Sequence, residues 1–532
     1  MSFPAGGVDF NLLLEAQQQQ QHLQLQEIEK KVAISMRQDE ERRNDTIRMS
    51  DTPLVRGGED SDPVARARRK FVKRMMKHAW DGYVAHAWGK NEVMPVSKSG
   101  NSATVFGSSE AGATIVDSMT TLYIMEMDEE FIKAKEWVAD NLDLAELMKD
   151  EVNIFEINIR YVGGLVSLFA LTGDDIFKNR AQEIVDKLLP AFDTPIGIPL
   201  GMINLKTGLT RERRMSILSE FGTMHMEFSY LTDITGNNKY KKKVEAVREY
   251  LNNKDKPKGL YPNQINPTTG QWGQDHSSLG AHGDSFYEYL LKEWIRSGKA
   301  DDLSKEMFDE AISNVEEILL QNSSHGQTYF ADRRGGMLAH KMDHLACFTG
   351  GLFSLAAVND NDEVKKKWMN IAEEITRTCH ESYENTATKL GPEIIRFDKF
   401  LNPFDRSFLL RPETVESYFV LWRLTKDPKY REWGWQVVQA LELNCKVEGG
   451  YSGLRDVNIP KSYDDVQQSF FLAETLKYLY LLFSSDSLLD LDLWVFNTEA
   501  HPLPIKGVNP FYRALQYSRN TSYNIGQPHV EL

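Results

Sequence analysis

One short pattern recurs along the chain and limits what it can fold into. Leu171-Thr-Gly173-Asp-Asp-Ile-Phe177, Ile234-Thr-Gly236-Asn-Asn-Lys-Tyr240 and Leu424-Thr-Lys-Asp427-Pro-Lys-Tyr430 share one order: apolar helix end, polar turn, helix start. Met127-Asp128-Glu-Glu-Phe131 and Val358-Asn-Asp-Asn-Asp-Glu-Val364 are fainter versions. Glycine suits the left-handed position after a helix, and Asp or Asn caps the free N–H groups of the next one. The unit is therefore a helical hairpin, and copies stand roughly 50 to 65 residues apart or multiples of that, enough for two helices plus loops. Strand signals are scarce, and short extended pieces are expected near Pro95, Pro195 to Pro199, Gly449 to Gly453 and Thr498. Such hairpins stack as an open solenoid or close into a toroid, and a solenoid needs polar caps at both ends. This chain ends instead in an apolar helix, Phe470 to Phe483, followed by the run around Thr498, which favours closure. The expected fold class is all-α.

The chain divides unevenly. Residues 1 to 65 read as a stem or linker: a glutamine run from Gln17 to Gln21, then Leu23, Leu25, Ile28 and Val32 amid charges, the pattern of a short coiled-coil or stem helix. The charge-dense stretch from Arg37 to Arg69 reads as solvated linker. The body spans 66–510, opening with Phe71, Met75, Ala79 and Tyr83 on one helix face, and 511–532 reads as a tail. The formal charge of −15 argues against nucleic acid and for a neutral or cationic ligand or a metal. No apolar run is long enough to span a membrane, and neither a signal peptide nor a membrane anchor is visible. Three cysteines, Cys347, Cys379 and Cys445, make no disulfide scaffold; one bridge plus a free thiol and three buried thiols both remain open. Asn44, Asn322 and Asn520 begin glycosylation sequons, which matter only in a secretory lumen.

Several acidic residues stand where surface charges rarely do. Glu156 and Arg160 lie at i, i+4 amid apolar neighbours, either an ordinary helix ion pair or a pair facing a cavity. Asp284 opens a helix, where it could simply cap, and Glu288 follows one turn on among aromatics. Glu413 and Glu416, after Pro412, are like charges at i, i+3, which costs stability unless a cation or a reaction needs them. Glu474 interrupts an apolar stripe, and Glu220 and Glu227, seven apart, both face inward if one helix carries them. Carboxylates with aromatics suit a neutral, hydroxyl-rich ligand: aromatic faces stack on sugar rings, and paired carboxylates serve glycoside cleavage. The run Trp494 to Pro504 reads either as a C-terminal loop fixed by prolines or, with acids from elsewhere, as part of a hard-cation site.

Four runs together resemble the class I α-1,2-mannosidases, glycoside hydrolase family 47, over roughly Arg66 to Ile505. They are Phe155-Glu156 with Ile159-Arg160, Gly283-Asp284-Ser285-Phe286-Tyr287-Glu288-Tyr289, Leu410-Arg411-Pro412-Glu413-Thr414-Val415-Glu416-Ser417, and Phe496-Asn497-Thr498-Glu499-Ala500-His501-Pro502. With Gly450-Tyr-Ser-Gly-Leu-Arg455-Asp456 added, the chain looks most like the Golgi mannosidase I type. The resemblance implies an (α/α)7 barrel plugged at one end by a C-terminal β-hairpin, the Thr498 run. It also implies a Ca²⁺-dependent, inverting removal of terminal α-1,2-mannose from high-mannose N-glycans on glycoproteins. Glu156 would be the general acid, Asp284 the other acidic candidate, and Glu413 the base that activates water. Thr498 would ligate Ca²⁺ through hydroxyl and carbonyl oxygens. Glu416, Glu474, Glu220 and Arg160 would line the sugar subsite or the water shell of the ion, and Phe470 would stack under the ring. Cys347 and Cys379 match the disulfide positions of the family, which implies an oxidising lumen, Golgi first and endoplasmic reticulum second, with Cys445 free.

Two positions depart from the pattern. His282 stands where the endoplasmic-reticulum type carries arginine and other Golgi types a smaller apolar residue, so branch preference turns on it. Thr120 replaces an acidic residue common in the second helix of the family. The rival expectation from another class is a mannose-binding quality-control protein with little turnover, which glycan-release assays would separate.

Overall fold

The computed structural model describes residues 10–41, 54–101, 105–106, 109–210, 215–397 and 401–515. The sequons at Asn44 and Asn520, most of the tail and the start of the stem lie outside them.

Helices alternate between two concentric rings. Seven helical stretches form the inner ring among the described residues: Ala113–Ile124, Ile154–Thr172, Leu218–Gly222 with His225–Thr235, Asp284–Arg296, His344–Val358, Glu413–Thr425 and Phe471–Thr475 with Leu476–Leu482. Each packs on an outer helix: in order Asp128–Asn141, Asp175–Leu188, Lys239–Asn252, Asp302–Ile318, Asp362–Glu384, Lys429–Asn444 and Pro63–Ala87. The last inner stretch also packs on the first, so the ring closes as an (α/α)7 barrel. Composition sorts the rings. Gly163 to Leu171 is buried on every side, as a helix with no polar face must be. Asp362–Glu384 buries one stripe, Ile371, Ile375 and Cys379 among it, and turns its charges outward. Cys347, in the first turn of the fifth inner stretch, is bridged to Cys379 on its outer partner, and Cys445 is free and buried.

The recurring turn has one hydrogen-bond plan. Gly173, Gly236 and Lys426 adopt φ of 75°, 72° and 59°. The next residue caps the outer helix: Asp174 Oδ1 accepts from Ile176 N at 3.1 Å, Asn237 Oδ1 from Lys239 N at 3.2 Å, and Asp427 Oδ1 from Lys429 N at 3.0 Å. The preceding threonine donates back one turn, Thr172 to Leu168 O at 2.7 Å, Thr235 to Leu231 O at 2.6 Å and Thr425 to Leu421 O at 2.7 Å. Short polar residues thus stop one helix and start its partner.

The two ends of the barrel differ as a result. Short turns join the first six inner helices to their outer partners at one end; the seventh inner stretch packs on Pro63–Ala87 from the start of the barrel. At the other, longer segments lead from each outer helix to the next inner helix, and they carry all the short antiparallel strands except the final pair. That pair, Trp494–Phe496 with Pro502–Pro504, forms a hairpin that enters the barrel. Ser167 Oγ donates to Pro502 O at 2.6 Å, and Asn497 Nδ2 to Ile159 O at 3.1 Å. A Cβ on Gly163 would overlap the Asn497 amide, so glycine stands mid-helix despite costing about 1 kcal/mol in propensity.

Three expectations change. Glu220 and Glu227 do not share one helix: the chain breaks at Thr223 and Met224, and Asn158 Nδ2 takes up the freed Thr223 carbonyl at 2.9 Å. The second half of the charge-dense run is not solvated linker. Leu54 N bonds Ser487 O at 2.9 Å, Asp60 pairs with Arg431 at 2.6 Å, and the first outer helix already starts at Pro63. The stem helix, Phe10–Glu41, also rests on the body, with Ile28 and Val32 buried against Pro63–Ala87 and Lys429–Asn444. At the other terminus, residues 511–515 dock too: Arg513 Nε donates to Ala170 O at 3.0 Å and Leu515 N to Asp233 O at 3.1 Å.

Candidate active site

A cavity of about 300 Å³ opens at the strand-bearing end, where the inner helices begin. Glu156, Arg160, Glu220, His282, Asp284, Glu413, Phe470, Glu474 and Thr498 all line it. They come from separate inner helices and the plug tip, so only ring closure brings them together. Two π-helical segments, Ile157–Val162 and Phe471–Thr475, set Arg160 and Glu474 on its wall.

Glu413 and Asp284 are tuned in opposite directions. Burial alone would raise the Glu413 pKa. The His344 hydrogen bond, Nδ1 to Oε2 at 2.7 Å, and the nearby Arg411 charge reverse that and hold it below the usual value. His344 is held in turn by Tyr383 OH, 2.7 Å from Nε2. A carboxylate only accepts, so the imidazole proton sits on Nδ1 and the Tyr383 hydroxyl donates to Nε2. Asp284 has no such support. Burial pushes its pKa up to about 7, and Glu288 and Glu413 add to the push, against one Ser285 N–H bond at 2.8 Å.

Arg160 organises the opposite wall. Its Nε donates to Glu156 at 2.8 Å, and Nη1 bonds Glu499, Asp117 and Ser469. Burial opposes its charge, but Glu499, Glu156 and Asp117 outweigh burial and raise its pKa further. Arg160 and Arg411 each lie 5.8 Å from the centroid of the Phe470 ring. Glu220 Oε1 accepts from Asn153 Nδ2 at 2.6 Å. His282, exposed at the cavity mouth, has φ of 77°, unusual for a residue with a Cβ, and partial desolvation lowers its pKa.

The floor is crowded with carboxyl groups. Glu474 is pushed well up by burial, then by Glu413 and Glu416. Glu416 is pushed up to about 8, chiefly by burial. It faces away from the main cavity, toward Lys292 Nζ at 3.5 Å and an adjoining space of about 340 Å³. Glu227 accepts from Tyr289 OH at 2.6 Å and Asn497 Nδ2 at 2.9 Å through one oxygen, while Oε2 is buried without a partner. Thr498, between Asn497 and Glu499 in the chain, lines the same cavity as Glu474.

The sequence profile of Glycosyl hydrolase family 47 matches residues 75–505. The chain belongs to that family. It is 53% identical over 477 residues to a mannosyl-oligosaccharide α-1,2-mannosidase IA of Drosophila melanogaster, covering 87% of this chain and 71% of that one. It is 50% identical over 462 residues to mannosyl-oligosaccharide 1,2-α-mannosidase IB of Homo sapiens, covering 85% and 72%. The solved α-1,2-mannosidase from Trichoderma reesei superposes with a TM-score of 0.78 at 25% identity, covering 82% of this chain and 99% of that one. The family makes this protein an enzyme, a glycoside hydrolase.

Behind the cavity lining stand residues that motif reading passed over. His344 and Tyr383 hold the Glu413 carboxylate from 69 and, through His344, a further 39 positions away, and no local spacing links them. Asp117 and His501, at 3.2 Å, brace Arg160 from behind. The only signal in sequence was His501 inside an otherwise quoted motif. One other group among the described residues could hold an ion: His225, Glu293 and Asp301. None of the three lines the cavity, and Arg296 already bonds both Glu293 oxygens at 2.6 and 2.8 Å.

Proposed function

We propose that this chain is a Ca²⁺-dependent, inverting exo-α-1,2-mannosidase that trims terminal α-1,2-linked mannose from high-mannose N-glycans of glycoproteins. The observation that carries the reading is the split between Glu413, held ionised by His344 and Arg411, and Asp284, pushed up to about 7 in the same cavity. Two carboxyls driven apart by their surroundings are how one site supplies both base and acid near neutral pH. The names of the relatives supply the sugar and linkage.

In this reading the terminal mannose lies against Phe470, and Arg160 and Glu220 hold its hydroxyls. Glu413 takes a proton from a water, whose oxygen attacks the anomeric carbon on the face opposite the leaving sugar. Asp284 gives its proton to the departing oxygen. Resemblance names Glu156 as the acid, but its Oε2 is engaged by Arg160 Nε at 2.8 Å, whereas burial pushes Asp284 up to about 7, so Asp284 is the better proton store.

The donor set suits a hard cation. Thr498 offers hydroxyl and carbonyl oxygens in a cavity lined by several carboxyls, and the orphaned Glu227 Oε2 marks a local shortage of positive charge. Ca²⁺ held there by Thr498 would supply Lewis-acid contact to sugar hydroxyls and favour a distorted ring. The histidine-containing group suits a softer ion. The disulfide supports an oxidising secretory lumen, with the Golgi as the proposed site.

The test is proton NMR of the first sugar released from a high-mannose N-glycan. Inversion of an α-linkage gives β-mannose first. Initial α-mannose would remove the single-displacement roles given to Glu413 and Asp284.

A further inference from the structure

One sequence motif is left unused by catalysis. Asn322-Ser323-Ser324 meets the Asn-X-Ser/Thr rule with no proline between. Asn322 ends the strand Leu320–Asn322, whose sole sheet partner is Thr328–Phe330. These strands sit in the segment between an outer and an inner helix, at the barrel end where the cavity opens. The chain then turns tightly. Ser323 N donates to Gln327 O at 2.8 Å, Gly326 N to Ser323 O at 3.1 Å, and Gly326 takes φ of 84°.

The local geometry presents the acceptor group outward. Asn322, Ser324, His325 and Gly326 are exposed, while Thr328, Tyr329 and Phe330 anchor the returning strand in the core. Thr328 Oγ1 donates to Asn322 Oδ1 at 2.8 Å, which holds the side-chain amide by its oxygen. Nδ2, the atom a glycan would join, makes no hydrogen bond to the described residues. Ser324, at the position the rule requires, pairs only with the exposed His325 ring at 3.1 Å. A sugar attached here meets solvent and no packed surface. The Cys347–Cys379 bridge points independently to the oxidising compartments where such sites are modified.

We propose that Asn322 is an N-glycosylation site. A lumenal transferase joins Asn322 Nδ2 to the anomeric carbon of an oligosaccharide carried on a lipid diphosphate. The new C–N bond replaces the sugar C–O bond, the lipid diphosphate leaves, and the Nδ2 proton passes to a base on the transferase. The inference rests on the lumenal part of the functional reading and on no feature of the cavity.

The test uses the full chain, delivered by a cleavable secretion leader into a eukaryotic secretory pathway. Purified protein is treated with a peptide amidase that releases N-glycans in heavy-oxygen water, which labels each formerly modified asparagine, and peptides are then read by mass. The expected result is label at Asn322 in the wild type and in S324T, and none at that peptide in N322Q or S324A. A secreted, disulfide-bonded chain whose Asn322 peptide carries no label overturns the proposal. Mannose release measured on the same samples keeps the two readings apart. N322Q is expected to retain wild-type turnover. A labelled Asn322 on a chain without turnover would sink the functional reading and leave the site standing.

Discussion

The two ends of this barrel are built from the same helices and behave differently. At the turn end, the connections are a few residues long, and the recurring turn's threonine bonds the helix behind while its Asp or Asn bonds the helix ahead. At the strand-bearing end, the connections are long and the cavity holds carboxyls that burial strains rather than satisfies. One end spends its polar residues on stopping and starting helices. The other keeps them in high-energy protonation states that a reaction can use. The plug hairpin links the two, entering through the barrel so that its tip places Thr498 in the cavity.

That contrast predicts which changes cost turnover and which cost stability. The largest effect is expected for Glu413→Gln: kcat on a high-mannose glycan falls by about 10²–10⁴-fold while the glycan is still bound, since only the base is lost. Steady-state release and equilibrium binding check both halves. Next is removal of the disulfide by Cys347→Ala with Cys379→Ala. It should destabilise the fold by about 2–4 kcal/mol in denaturant unfolding while leaving kcat of the folded fraction unchanged. Third, Gly163→Ala forces a methyl group into the plug tip and should cost about 1–3 kcal/mol; because the plug carries Thr498, it should also weaken calcium dependence. The smallest effect is expected at the turn end: Asp174→Ala loses a cap worth about 1 kcal/mol and leaves the pH–rate profile untouched.

The pH profile sharpens the comparison. The proposed mechanism needs Glu413 ionised and Asp284 protonated. Glu413 is held below the usual carboxylate range, so the acid limb lies at low pH. Asp284 loses its proton as pH rises through about 7, so activity falls above neutrality. His344→Gln removes the imidazole hydrogen bond that lowers Glu413, and the acid limb should move to higher pH with the alkaline limb in place. A profile that shifts equally at both limbs would place His344 in general packing instead.

Much of the fold was legible because its signal is local. A helix stop, a left-handed residue and a cap fall within seven positions, so the Leu171, Ile234 and Leu424 runs announce helical hairpins by themselves. Closure was a weaker inference, drawn from an apolar last helix that needed covering. The break at Thr223 and Met224 was not legible, because Glu220 and Glu227 keep helical spacing across it and only the Asn158 contact from a neighbouring helix shows the interruption. The docking of residues 54–62 was missed for a related reason: Asp60 and Arg69 read as solvated charge until Arg431 and Ser484 arrive from the far end of the chain. In the cavity, side chains inside motifs were found and their supports were not. His344 lies 69 residues from Glu413 and resembles any buried histidine in one dimension. Glu416, three positions after Glu413, lies 3.5 Å from Lys292 Nζ, a partner from another helix that no local spacing shows.

The measurement that tests the central claim most directly is mannose release from a high-mannose N-glycan at neutral pH, with Ca²⁺ and with a chelator, for wild type and Glu413→Gln side by side. The account predicts release by the wild type that stops on chelation and returns with Ca²⁺, and near-complete loss in Glu413→Gln with glycan binding kept. Release that ignores the chelator, or that survives in Glu413→Gln, would contradict it; binding with no release by the wild type would identify a lectin built on the same barrel.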